Sequence, residues 1–161
     1  MKKTSHQALK VVCVFALIGI IVWIVFYCIQ TYYVLTGGIG DGVINWGSPN
    51  MGVKLAMFWA SRMLMLAIGV LLIAFVKNIL KHLKGGAIFN RSNVVLLWVL
   101  AIVLPIHAFL SDNLHYAVSA DVYTPPIVMT DTPFVYCIVT VLVAMLYKLA
   151  CDAAEEQQLT I

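Results

Sequence analysis

LKVVCVFALIGIIVWIVFYCIQTYYVL, residues Leu9–Leu35, contains no acid and no base after Lys10. About 20 predominantly apolar residues in a helix, at roughly 1.5 Å each, cross a hydrocarbon layer about 30 Å thick. A run of this length and composition therefore reads as a membrane-spanning helix, because peptide groups in lipid must bond within their own segment. The basic start Lys2-Lys3 resembles that of a signal peptide. The apolar stretch is too long and too aromatic for one, however, and no small-x-small cleavage pattern follows it, so it reads as an uncleaved first helix.

Three more stretches share this character: about 53–76, with Arg62 as its one internal charge, about 93–110 and about 133–150. The whole chain agrees with them. Of its 161 residues 63% are hydrophobic and 11% charged, and the mean hydropathy is +0.98. Soluble domains carry about a quarter charged residues. Residues 1–161 therefore form one membrane domain whose solvent is the lipid bilayer, with spans at about 9–35, 53–76, 93–110 and 133–150.

The bases set the orientation. Lys2, Lys3 and Lys10 precede the first span, Lys77, Lys81, Lys84 and Arg91 fill the link 77–92, and Lys148 closes the last span. The other two links carry Asp41, Asp112, Asp121 and Asp131 and no base, leaving Lys54 at the outer mouth and Arg62 within span 2. Positive residues stay on the cytoplasmic side. The expected fold is thus an all-α, four-helix transmembrane bundle running up-down-up-down, with both termini cytoplasmic. The net charge of +3 reads as topology and contact with anionic lipid, with no direct nucleic-acid binding expected.

Lysines at 77, 81 and 84 share a helical face, so span 2 is expected to continue past the membrane until Gly85-Gly86 stops it. Ile88 and Phe89 return to the interface, and Asn90 or Ser92 caps the third helix. The first outer link is glycine-rich with Trp46 as an anchor. The second, with His115, Tyr116, Tyr123, Pro125 and Pro126, reads as an irregular segment on the membrane surface. Pro105 removes a backbone bond inside the third span and predicts a kink there.

Arg62 is the most informative residue. It lies roughly 13 Å from the outer end of its span, where an Arg costs about 2.5–3.5 kcal/mol and turns toward the bundle interior or a wet cavity. No Asp or Glu lies within a span. The candidate partners are Gln30 and Tyr33 on helix 1, His107 and Asp112 on helix 3, Asp131 before helix 4, and Tyr136 and Thr140 within it. Two readings stand. In one, Arg62, His107, Gln30, Asp112, Asp131 and Tyr136 form a polar pocket open to the outside that binds a small anion or senses pH. In the other, Arg62 snorkels toward Asp131 or Asp112 and fixes packing.

Cys13, Cys28, Cys137 and Cys151 lie within or at the ends of helices 1 and 4 and contain no CxxC. They read as small apolar packing residues. Their matched depths weakly favour an antiparallel pair of helices 1 and 4. His6, His82, His107 and His115 are too scattered to hold a metal. No Walker loop, nucleophile elbow or zinc-protease motif occurs, and no cofactor motif is evident, so the chain reads as non-enzymatic.

Gly86-x-x-Phe89-x-x-x-Asn93, the leucine-rich span behind it and the ending Glu155-Glu156-Gln157-Gln158-Leu159-Thr160-Ile161 carry a resemblance. They resemble a bacterial membrane family designated domain of unknown function 2975, with Gly86, Phe89, Asn93, Leu159, Thr160 and Ile161 as the matching positions. Ile88 stands where the family often has Pro, and Asp152-Ala153-Ala154 where it often has Gly. The resemblance implies four spans and, by analogy, a cytoplasmic helix-turn-helix transcription regulator as partner.

Lys77, Lys81, Lys84, Arg91, Glu155 and Glu156 are then the candidate partner or lipid surface, within the basic link and the acidic tail 151–161. Pairing of those acids with those bases, closing the bundle, is the favoured alternative. The reading adopted is a small sensor or regulatory partner of a cytoplasmic protein. The alternatives are a small transporter or channel subunit using the pocket around Arg62 and His107, and a structural subunit of a complex with another membrane protein. A homo-oligomer stays open.

Overall fold

The computed structural model describes residues 2–36, 50–83, 89–114 and 127–159. The structured parts are four helices: α1 (Lys2–Thr36), α2 (Met51–Leu83), α3 (Arg91–Asp112) and α4 (Thr132–Leu159). Among the described residues there is no strand. Even α3, the shortest at 22 residues, reaches about 33 Å at 1.5 Å per residue, enough to cross the hydrocarbon layer. All four are long and apolar enough to span.

The distribution of side chains is the reverse of a soluble bundle's. Phe15, Phe26, Ile102, Met129 and Leu146 are each more than 60% exposed, while Lys54, Ser61, Arg62, Asn93 and Asn113 are each at most 4% exposed. A large exposed apolar surface needs a partner; here it rings four helices of spanning length and meets lipid. The chain is a multi-pass membrane protein with an all-α, four-helix bundle.

The helices pack in chain order, α1 on α2, α2 on α3 and α3 on α4. The adjacency of helices 1 and 4 suggested by the cysteine depths is not found: these helices do not pack together among the described residues. Equal depth fixes height along a helix and says nothing of which way a residue faces. All four cysteines are free; Cys13 and Cys151 are buried against other neighbours, and Cys28 and Cys137 are exposed.

Local signals set several of the boundaries. Asn50 opens α2 at φ 59°, a left-handed conformation that Asn tolerates better than most residues, and its carbonyl accepts from Val53 and Lys54. Asn90 caps α3: its Oδ1 accepts from the Ser92 amide at 3.0 Å. α3 continues through Pro105 to Asp112, and α2 runs past its expected span to Leu83. The acidic tail is helical as far as Leu159, an extension of α4. Gly85-Gly86, Ile88, residues 37–49 with Trp46, residues 115–126 with His115, Tyr116, Tyr123, Pro125 and Pro126, and Thr160-Ile161 lie outside the described residues.

At the C-terminal end of α3, buried Asn113 ties the helix to the segment entering α4. Its Nδ2 donates to the carbonyls of Phe109 and Val128, both at 2.9 Å, and its Oδ1 accepts from the Val128 amide at 2.7 Å. Thr130 Oγ1 donates to Asp112 in the same corner. On the α1–α2 seam Gly69 permits close approach: a Cβ there would lie 2.7 Å from Ile24 Cδ1.

Candidate functional site

Along α2 the buried residues Lys54, Phe58, Ser61, Arg62, Ile68, Gly69 and Val76 recur at helical spacing and form one inward stripe. The upper part of that stripe is polar. Phe58 is fully buried, with Val34 and Leu35 of α1, Met51, Leu55 and Leu114 packed around it. One turn further on, Arg62 lies inside the bundle with 4% of its surface exposed.

Two aromatic rings flank the guanidinium. Its Cζ lies 4.6 Å from the centroid of Tyr27 on α1 and 5.0 Å from that of Phe58 on its own helix. Each such contact contributes about 0.5–2 kcal/mol. Together they offset much of the roughly 2.5–3.5 kcal/mol that a central Arg costs. The Arg62 Nε–H has no partner, and among the described residues no carboxylate forms an ion pair with Arg62.

His107 lies on α3, which packs against α2, and is half-buried. Its Nδ1 is buried without a partner. Two buried nitrogens on adjacent helices are therefore unsatisfied. Buried polar atoms seldom remain so, and each such case calls for an explanation.

The pocket expected from the sequence assembles only in part. Arg62 is buried on α2, and His107 is half-buried on the neighbouring α3. Gln30, Asp131 and Tyr136 are exposed, as is Tyr33, and Thr140 bonds to the Tyr136 carbonyl of its own helix. Asp112 is half-buried and accepts from Thr130. The α4 residues are absent from the site because α4 packs on α3 and turns this face outward. Snorkelling toward Asp131 or Asp112 is likewise not what Arg62 does, since its side chain stays inside the bundle between two rings.

Tyr27, Phe58 and Ser61 are the residues that sequence reasoning missed. Phe58 precedes Arg62 by one turn, and Tyr27 lies at a comparable depth on helix 1, so spacing held the signal. Lys54 was taken for a rim residue and is 2% exposed on the inward stripe.

No family model matches the chain. No curated protein and no solved structure matches it either. The resemblance to the family designated domain of unknown function 2975 rests on the quoted residues alone, two of which have a visible geometric role. Phe89 packs edge-on against Tyr147 of α4 at 5.5 Å, and Asn93 donates to the Tyr147 hydroxyl at 3.3 Å and to the Phe75 carbonyl at 3.4 Å. Tyr147 also lies 5.7 Å from the Phe75 ring and accepts from the Asn90 amide at 3.4 Å. One tyrosine thus joins α2, the entry to α3 and α4.

His82 completes this junction, its Nδ1 lying 2.9 Å from the Asn78 carbonyl and its Nε2 3.1 Å from Asn90 Nδ2. Both contacts are satisfied by the tautomer with the proton on Nδ1. On the surface beside it, Arg91 grips Glu155 with Nε and Nη2 at 2.9 and 2.8 Å, and the same Nη2 lies 2.8 Å from Asp152. Among the bases of the link, Arg91 is therefore one that meets the tail, while Lys77, Lys81 and Glu156 are exposed. Lys84 and Gly86 lie outside the described residues.

Proposed function

We propose that the chain is a non-enzymatic regulatory protein of the bacterial inner membrane, with both termini cytoplasmic. It receives a membrane or envelope signal at Arg62 and His107 and relays it to a cytoplasmic partner at the Arg91 end. The observation that supports this is the sharing of α2 and α3 by both places. Arg62 and His107 belong to these two helices, each with a buried nitrogen that has no partner, and Asn90 and Asn93 join the helices to α4 at their other end. A change in how the two helices sit at one end reaches the other through rigid helix.

The partner is of the helix-turn-helix regulator type, an analogy carried by the family resemblance. Affinity purification of the full chain in mild detergent tests the reading. A soluble protein should co-purify and be lost when residues 155–161 are removed; recovery of membrane proteins alone sinks it. Reporter fusions to the two ends should report the same, cytoplasmic compartment.

The unpaired edge of Arg62 also favours a second reading, a small transporter or channel subunit. Proteoliposomes should then show substrate flux that Arg62→Gln abolishes.

A further inference from the structure

Asn90 holds two neighbours at once. Its Oδ1 accepts from the Ser92 amide at 3.0 Å and caps α3, while its Nδ2 meets His82, in the last turn of α2. That Nδ2 lies 3.1 Å from Nε2 and 3.2 Å from Nδ1 of the imidazole. The amide has one good orientation here, because turning it over would set Nδ2 against the Ser92 N–H, donor against donor. The ring is held as well: its Nδ1 lies 2.9 Å from the Asn78 carbonyl, which can only accept.

A neutral ring with its proton on Nδ1 donates to Asn78 and offers Nε2 to the Asn90 amide. A protonated ring keeps the Asn78 bond but has only donors and a positive charge to set against the Nδ2 hydrogens. The carbonyls that close α2 attract that charge, and the first amides of α3 repel it. These two effects oppose each other, so the side-chain contact decides.

We propose that His82 and Asn90 form a proton-operated latch between α2 and α3, closed while the imidazole is neutral and released when it takes up a proton. Imidazoles change charge within about pH 5–8. The protonated ring competes with Ser92 for Asn90 Oδ1, and a charge-assisted hydrogen bond is about twice as strong as a neutral one. The amide then turns to the ring and leaves the Ser92 N–H uncapped. The Asn90 backbone N–H donates to Tyr147 at 3.4 Å, so the turn that loses its cap is the one that joins α3 to α4. The latch needs no partner protein and stands or falls apart from the regulatory reading.

Other charged and titratable groups lie on every element at this end. On α2, Lys77 and Lys81 are exposed. On α1, which packs on α2, Lys10 is exposed and His6 half-buried. On α4, Lys148 is exposed and Cys151 buried, and Asp152 and Glu155 hold Arg91 of α3. Lys84 lies outside the described residues. Among the described residues no carboxylate forms an ion pair with His82.

The test is hydrogen exchange at the Ser92 amide, resolved by NMR of the full chain carrying nitrogen-labelled serine in detergent micelles. Its protection, taken relative to the intrinsic rate at each pH, should fall about tenfold from about pH 8 to about pH 5.5, the worth of one hydrogen bond. His82→Gln cannot titrate and should abolish the fall. Asn90→Asp keeps a cap acceptor but presents a carboxylate to the ring, which attracts the protonated form; its protection should rise as the pH falls. Circular dichroism checks that each variant is folded, and either variant alone decides should the other fail to fold. The proposal is overturned if the parent's protection stays flat, if its fall persists in His82→Gln, or if Asn90→Asp falls as the parent does.

Discussion

Replacing Arg62 by Met separates a charge kept for binding from a charge kept for packing. Met has similar length and fills the space between Tyr27 and Phe58, so the substitution removes charge and hydrogen-bonding edge with little loss of volume. Removing a central charge returns about 2.5–3.5 kcal/mol of insertion cost. Losing the two ring contacts, at 4.6 and 5.0 Å, gives back about 0.5–2 kcal/mol each. No carboxylate is left behind, since none pairs with Arg62 among the described residues. Arg62→Met is therefore expected to lie within about 2 kcal/mol of the parent, on either side.

A buried charge with a structural partner behaves otherwise, and its removal costs about 3–5 kcal/mol. Reversible unfolding in mixed micelles, followed by far-ultraviolet circular dichroism, has the resolution to tell these apart. Destabilisation beyond about 3 kcal/mol would refute the view that the fold does not need this charge. A supporting result is a folded protein of near-parental stability.

Asn113→Leu removes three hydrogen bonds and strands both backbone groups of Val128, with an expected cost of about 2–4 kcal/mol and faster hydrogen exchange at the Val128 amide. Asn113→Asp keeps the acceptor for that amide and should exchange more slowly than the Leu variant. Tyr147→Phe preserves the rings against Phe75 and Phe89 but leaves the Asn90 amide and Asn93 Nδ2 short of an acceptor. It should lower stability by about 1–3 kcal/mol, read by the same micelle titration. Gly69→Ala should lower the thermal midpoint, since a Cβ would lie 2.7 and 2.9 Å from Ile24 Cδ1 and Cγ1, and the helix gain of about 1 kcal/mol does not relieve an overlap that reaches past the tip of that side chain; Gly69→Leu should lower it further. Arg91→Glu should expose the end of α4 to limited proteolysis by repelling Glu155 and Asp152.

The four spans were legible because lipid imposes one demand that hydropathy reports directly, a long unbroken apolar run. Arg62 was legible as an inward-facing residue for a related reason, since a charge in hydrocarbon must turn away from lipid. The rings around Arg62 were not, because Tyr27 and Phe58 look like any other aromatics in a span and their role depends on azimuth. The serial packing of the helices was hidden for the same reason: depth can be counted along a span, whereas facing direction comes from packing. The partners of Asn93 and Asn113 were not legible, as Tyr147 lies on α4 and Val128 in the link that leads to it. Asn90 was legible as a cap because its partner is two residues away.

The row-like order of the helices bears on how Arg62 can be reached. Among the described residues α1 packs on α2, and Tyr27, which shields one face of the guanidinium, belongs to α1. A swing of that first helix would unroof Arg62 sideways, into the acyl chains, while the seams joining α2 to α3 and α3 to α4 stayed closed. A flank entrance of this kind suits molecules already dissolved in the bilayer, and it is opposed by the α1–α2 seam, tight at Gly69 and Ile24 and again where Val34 and Leu35 meet Phe58.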